Sequence, residues 1–311
     1  MSNLAAKAGS PRLVILGAGY VGRSVALEGL RRGWLVSALT WNAGDAQALR
    51  SAGVDPVVEA PVHQRDWHRF LSPADAWVLN CVGSGRGGLE GYRESYLEGM
   101  RSMADWAASR GGAEAAIFTG STSVYGQDNG QWVSEKDEAT GGEERGAVLR
   151  EAEACLLNNP GIAKRRMVLR LGGIYGPKRA FLLQRARQAD FQLEDSDHIY
   201  LNSIRLEDIC EAVVTLCLTH PNQEEARVLN LVDDHPVLKS KILLGLRARL
   251  LEMGLPEEKG KAPGRRRASR PNRRISNALI KNLYGWNPRY PSWKEGYADL
   301  LGDTGGQYPP G

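Results

Sequence analysis

The chain is short of cysteine and histidine, and those it has are poorly spaced for metal or redox chemistry. Cys81, Cys155, Cys210 and Cys217 are the only cysteines in 311 residues, and no two form a C-x-x-C pair. The spacing therefore carries no zinc or redox motif. Each cysteine lies in an apolar strand or helix pattern, where it reads as a small buried side chain. The histidines show no metal-ligand spacing. Apolar runs of membrane-spanning length are missing. Met1 to Ser10 has no apolar core of signal-peptide length and reads as a disordered leader. The reducing cytoplasm is the expected compartment. A large charge imbalance is missing too. The net charge is +4, and one arginine-rich segment near the C-terminus can account for much of it. The protein as a whole is therefore not read as a nucleic-acid binder.

What is present is ordinary for a globular protein, with 42% hydrophobic and 24% charged residues. The informative stretch is Arg12-Leu-Val-Ile-Leu-Gly-Ala-Gly-Tyr-Val-Gly22. Leu13 to Leu16 reads as a buried parallel strand. Gly17, Gly19 and Gly22 follow in G-x-G-x-x-G spacing, and Ser24 to Arg32 continues with helical periodicity. A dinucleotide pyrophosphate needs this order of strand, tight turn and helix. The first glycine permits the turn, the second lets backbone approach phosphate, and the third lets helix and strand pack closely. The helix start offers N–H groups to the anion. Gly17, Ala18, Gly19, Tyr20, Val21 and Gly22 are thus the first candidate cofactor residues.

The second strand, Trp34 to Leu39, ends in Thr40-Trp41-Asn42. An acid there would accept the ribose hydroxyls of NAD. Its absence removes a charge that would repel a 2′-phosphate, so NADP is favoured over NAD, although no arginine sits there to clamp the phosphate. Trp41 is placed to stack on adenine. Further strands are expected at Asp55 to Val58, Ala76 to Val82, Ala115 to Thr119 and Arg166 to Leu171. Helices are expected at His63 to Phe70, Leu89 to Arg110 and Gly142 to Leu157. Val82 and Gly83, Thr119, and Leu171 and Gly172 fall at strand carboxyl ends, where such sheets bind ligands. The alternation implies an α/β fold, a Rossmann-type doubly wound parallel sheet. Beyond Pro177 the pattern loosens. A helix at Ala180 to Ala189, strands at Ile199 to Ile204 and Val228 to Val232, and helices at Glu207 to Thr219 and Lys239 to Met253 are expected. Two short segments, Ile275 to Leu283 and Trp293 to Leu301, close the pattern. The division is a leader at 1–10, a dinucleotide-binding domain at 11–176, a smaller substrate-binding region at 177–301 interleaved with it, and a flexible tail at 302–311.

Four motifs in this order resemble the NAD-dependent epimerase/dehydratases, the extended short-chain dehydrogenase/reductases. They are Gly17-Ala-Gly-Tyr-Val-Gly22, Ser121-Thr-Ser-Val-Tyr-Gly126, Arg170-Leu-Gly-Gly-Ile-Tyr-Gly-Pro177 and Ile204-Arg-Leu-Glu-Asp-Ile209. Arg274-Ile-Ser-Asn277 and Trp286-Asn-Pro-Arg-Tyr-Pro-Ser292 look like the atypical branch of that family. The resemblance implies hydride transfer to or from nicotinamide, with a Ser or Thr, a Tyr and a Lys moving the proton. The Ser/Thr position is Ser121, whose competing reading is a polar residue that caps a turn. The Tyr-x-x-x-Lys helix of the family departs from pattern here. Gly146 falls at the tyrosine position and Arg150 at the lysine position. Arginine cannot release a proton near neutral pH. Any proton would come from Tyr125, Tyr96, water or the substrate.

Asp208 is expected to cap and orient the helix after it. Arg205 reads equally as a cleft residue and as a surface ion pair. The cluster Arg265 to Arg267, Arg270, Arg273 and Arg274 reads as a solvated loop before it reads as a phosphate or nucleic-acid site. The leading reading is an NAD(P)-dependent oxidoreductase or epimerase acting on a small polar or sugar-like substrate, with Ser121 and Tyr125 as catalytic candidates. The alternative is a dinucleotide-binding sensor or scaffold that has lost catalysis. Nucleic-acid binding is the weakest reading.

Overall fold

The protein is described by a computed structural model that covers residues 9–84, 87–219, 224–255 and 271–302. The leader up to residue 8, Gly85, Arg265 to Arg267, Arg270 and the tail from 303 lie outside the described residues. Strand β1 (Arg12–Leu16) leads through the glycine turn into α1 (Tyr20–Arg31), then β2 (Leu35–Thr40), α2 (Ala43–Ala52), β3 (Val57–Glu59) and β4 (Ala76–Asn80). A long helical stretch follows. It comprises α3 (Gly88–Arg93), a π-helical turn (Glu94–Glu98) and α4 (Gly99–Ala108). Next come β5 (Ala113–Ser121), β6 (Trp132–Val133), α5 (Glu143–Leu157), β7 (Ala163–Leu171) and β8 (Gly173–Tyr175). The remainder is α6 (Phe181–Ala186), β9 (Tyr200–Leu201), β10 (Ser203–Arg205), α7 (Leu206–Leu218), β11 (Glu225–Leu231), β12 (Val237–Leu238), α8 (Lys239–Glu252), β13 (Arg274–Ile275), α9 (Ala278–Tyr284) and α10 (Trp293–Leu301).

The chain divides into two compact units that alternate along the sequence. The first comprises Met1–Val124, Ala139–Arg170 and Ile209–Leu229; the second comprises Tyr125–Glu138, Leu171–Asp208 and Asn230–Gly311. The first carries the main sheet, in the order β11-β7-β5-β4-β1-β2-β3. The pairs β1–β2, β1–β4, β2–β3 and β4–β5 run parallel. Because β1 has β2 on one side and β4 on the other, the strand order reverses at β1/β4, and the crevice for a ligand opens at their carboxyl ends. The strands are apolar on both faces: Leu13, Val14, Ile15 and Leu16 are all buried, as expected when helices cover both sides. Helix α1 contributes Val21, Val25, Ala26 and Gly29 to that cover, a helical stripe. The second unit has its own core, in which Tyr175, Ile242, Leu246, Trp293 and Tyr297 pack together.

Several expected elements differ. Helix α2 replaces an unassigned stretch. The expected helix at His63 to Phe70 is a single 3-10 turn, Asp66–Arg69, and the expected strand at Ile199 to Ile204 is two short strands split at Asn202. Asn202 is a junction: its side chain donates to the Arg273 carbonyl and accepts from the Ile275 N–H. No helix among the described residues is long and apolar enough to cross a membrane.

Candidate functional site

The glycines of the first turn have three separate environments. Gly17 has φ +89°, and a Cβ there would lie 2.6 Å from the backbone of Val82. Any side chain would push β1 away from the end of β4. At Gly22 a Cβ would lie 2.6 Å from the Gly17 carbonyl and 2.7 Å from Cys81 Sγ, so this position sets the approach of α1 to the sheet. At Gly19 a Cβ would meet nothing within 4 Å. Gly17 and Gly22 are filled by protein, whereas Gly19 is exposed and faces open space. The turn is held from below. Gly17 and Ala18 donate to the Leu39 carbonyl, at 2.9 and 3.0 Å. Cys81 Sγ donates to the Gly17 carbonyl at 3.2 Å, and burial pushes this thiol far above its ordinary range. It stays protonated and serves as a prop. Tyr20 and Val21 open α1, whose first-turn N–H groups lack intrahelical acceptors.

The other expected cofactor positions of this unit lie along the same carboxyl edge. Thr40 is buried and its Oγ1 accepts from the Asn42 N–H. Asn42 is the N-cap of α2, accepting from the Asp45 N–H at 2.9 Å. Trp41 is 73% exposed, a large apolar surface left in water beside the turn. Asp45, in the first turn of α2, is an acid that sequence reading missed along with its helix. Gly83 is exposed after β4, and Thr119 is buried in β5. Leu171 and Gly172 belong to the second unit. Gly172 there donates to the Leu231 carbonyl, and a Cβ on it would lie 2.5 Å from the Asn202 carbonyl.

Ser121 ends β5, partly exposed, and its Oγ accepts from the Ser123 N–H at 3.1 Å. This is the turn-capping role, and it leaves the hydroxyl proton with no protein acceptor among the described residues. Behind it, Glu153 of α5 and Arg170 of β7 form a buried bidentate pair, 2.6 and 3.1 Å, against Gly120. The start of α5 is closed over by its own leader. Gly141 donates to the Val124 carbonyl at 2.7 Å, and its carbonyl accepts from Arg150 Nη1 at 2.7 Å. That same carbonyl occupies the space a Cβ on Gly146 would need. Backbone thus fills the place where a tyrosine at 146 would begin, and Arg150 is committed to holding that backbone there.

No family model matches the chain. Protein YeeZ of Escherichia coli (strain K12) is 29% identical over 293 residues, 90% of this chain and 96% of that protein. A putative NAD-dependent epimerase/dehydratase from Methylobacillus flagellatus superposes with a TM-score of 0.71 at 24% identity, covering 94% of this chain and 98% of its own. MoeE5 in complex with UDP-glucuronic acid and NAD superposes with a TM-score of 0.75 at 18% identity, covering 92% of this chain and 96% of its own. The fold is that of the NAD-dependent epimerase/dehydratases.

On this epimerase/dehydratase fold, Tyr125, Arg205 and Asp208 take structural places. Tyr125 is fully buried, and its hydroxyl donates to Asn230 Oδ1 at 2.9 Å. A proton donor must reach the reacting atom, so its expected place as a replacement acid is corrected to core packing. Arg205 is also buried, and neither a cleft nor a surface position describes it. It pairs with Glu207 at 2.7 Å and Asp299 at 2.6 Å, donates to the Gly296 carbonyl, and lies over the Tyr290 ring at 4.6 Å. Asp208 accepts from the N–H groups of Arg289 and Tyr290, at 2.6 and 3.2 Å. It anchors that segment instead of capping α7, and burial raises its pKa to about 6. Of the arginine cluster, Arg273 is buried and Arg274 lies between the rings of Trp132 and Tyr200. Sequence reading missed Tyr92, whose ring lies 4.5 Å from that of Tyr96; Tyr96 in turn lies 6.2 Å from Phe118 of β5. The π-helical turn that carries Tyr96 was not legible, though such turns recur at functional sites. No group of His, Cys, Asp and Glu suited to a metal occurs among the described residues.

Proposed function

We propose that the protein is an NAD(P)-dependent oxidoreductase or epimerase of a small polar or sugar-like substrate. The observation that carries this reading is the division among the glycines of the turn. Packing accounts for Gly17 and Gly22 and leaves Gly19 to a ligand. A dinucleotide pyrophosphate would approach the backbone at Gly19, with the α1 N–H groups beside it. Trp41 stacks on the adenine. NADP(H) binds at least as well as NAD(H), because Thr40-Trp41-Asn42 carries no carboxylate; Asp45 is the competing feature. The bound nicotinamide would supply or accept hydride. Residues 177–301 keep the substrate-binding role, and the free thiols of all four cysteines suit a reducing cytoplasm.

In this reading Ser121 donates its uncommitted proton to the reacting oxygen, a preorganised hydrogen bond of the oxyanion-hole kind. Helix α5 takes no part in proton transfer, since Gly146 carries no side chain and Arg150 holds the Gly141 carbonyl. Tyr96 or a water moves the proton. The alternative is a dinucleotide sensor without turnover, favoured by that same closed start of α5. A screen of aldoses, nucleotide sugars and small ketones for hydride transfer decides between them. The enzyme reading expects turnover that falls at least about 100-fold in Ser121→Ala, with cofactor affinity unchanged. Tight dinucleotide binding without turnover across the screen would establish the sensor instead.

A further inference from the structure

We propose that a pocket at the amino-terminal edge of the main sheet, on the side away from the glycine turn, binds a phosphate monoester with a small apolar body. The pocket holds about 290 Å³ and is lined in part by Arg12 at the start of β1, Leu35 at the start of β2, Asp55, Arg69, Phe70 and Arg110 after α4. All six belong to the first unit. Most arginines of that unit are committed: Arg31 and Arg32 to Glu28, Arg50 to Glu59, Arg65 to Asp105, Arg101 to Glu98 and Arg170 to Glu153. Arg12, Arg69 and Arg110 have no carboxylate or carbonyl partner among the described residues, and these three converge on one cavity. The Arg69 guanidinium lies over the Phe70 ring, at 4.7 Å.

Three guanidiniums against the single carboxylate of Asp55 leave two positive charges around the cavity. Like charges held together repel, and a ligand that neutralises them is favoured by that relief. A phosphate monoester near neutral pH carries close to two negative charges and offers three acceptor oxygens. Guanidinium forks match phosphate oxygens in paired hydrogen bonds. The walls select for more than charge. Leu35 is 44% exposed and Phe70 53% exposed, apolar surface that a bare inorganic ion would leave in water. The expected occupant therefore places its phosphate among the arginines and its apolar body against Leu35 and Phe70.

Calorimetry of the full chain with phenyl phosphate, inorganic phosphate and phenol tests this. Phenyl phosphate is expected to bind saturably and more tightly than inorganic phosphate, and phenol not to bind. Arg69→Ala with Arg110→Ala is expected to weaken phenyl phosphate by at least about tenfold. Asp55→Asn is expected to tighten it. The arginines are exposed, so the double variant should keep the wild-type melting temperature; Arg12→Ala gives an independent second variant. Saturating NADPH should leave the affinity unchanged. The proposal is overturned if phenyl phosphate does not bind, if the arginine variants bind it as the wild type does, if inorganic phosphate binds equally well, or if NADPH displaces it and so places the anion at the glycine turn.

Discussion

Gly19 and Gly22 are three residues apart and identical in chemistry, yet the structure gives them opposite sensitivities. A valine at Gly22 must displace the Gly17 carbonyl and the Cys81 thiol, overpacking that costs about 1–3 kcal/mol. At Gly19 the added atoms enter open space. Gly22→Val is thus expected to lower the denaturation midpoint clearly. Gly19→Val should melt as the wild type does while losing dinucleotide affinity, and equal melting losses in the two would refute the distinction. Asn42 permits a further test. Aspartate caps helices as well as asparagine does, so Asn42→Asp keeps the start of α2 and adds only a charge. It should shift preference from NADP(H) towards NAD(H), read as the ratio of the two dissociation constants. The turn and packing roles of Gly17 and Gly22 are legible because G-x-G-x-x-G spacing encodes one backbone path. The role of Tyr125 is not, because its partner Asn230 lies over a hundred residues away.

At the scale of elements, α5 and its leader decide what chemistry remains. Arg150 donates to the Gly141 carbonyl, a charged hydrogen bond worth about 1.5–3 kcal/mol. Arg150→Ala should lower unfolding free energy by about that amount, measured in denaturant, with dinucleotide affinity unchanged. Restoring the sequence motif is not expected to restore its chemistry. Gly146→Tyr together with Arg150→Lys should destabilise the protein and raise no turnover, because backbone already occupies the tyrosine's place. A variant that folds normally and turns over faster would show that α5 can carry the relay. Sequence showed that the motif was missing, but not that its space was closed, since that closure depends on the path of Gly141 and Gly142. Helix α2 escaped for another reason. Its ten residues are mostly small or polar and bury only Ala46 and Leu49, too few to mark a period.

For the whole molecule, two units share an interleaved chain, and short pairings between distant segments, such as β6 with β13 and β9 with β12, build the second. Two-residue ladders leave almost no pattern in a sequence, which is why the chain loosened into fragments beyond Pro177 while the sheet of the first unit was readable. Both units carry groups that titrate near neutral to mildly acidic pH: burial lowers the pKa of His68 in the first and raises two carboxyls in the second. Burial raises the pKa of Asp208 to about 6. A carboxyl whose pKa is higher folded than unfolded binds its proton more tightly in the native state. Its contribution is complete below the unfolded value, near 4, and is lost as pH rises through about 6. Asp233, also raised by burial, acts in the same sense. The contribution of these carboxyls should therefore fall between these pH values while that of His68 rises, so Asp208→Asn should shift the pH dependence of the melting temperature upward with pH relative to the wild type; an unchanged pH dependence would count against it.

On the proposed function, the first unit holds a nicotinamide dinucleotide at the turn from Gly17 to Gly22. Isothermal calorimetry of NADPH and NADH on the wild type and on Gly19→Val addresses it most directly. The expected result is saturable binding of one dinucleotide per chain to the wild type, lost in a Gly19→Val protein of unchanged melting temperature. Absence of binding to the wild type, or equal binding by a folded Gly19→Val protein, would contradict it.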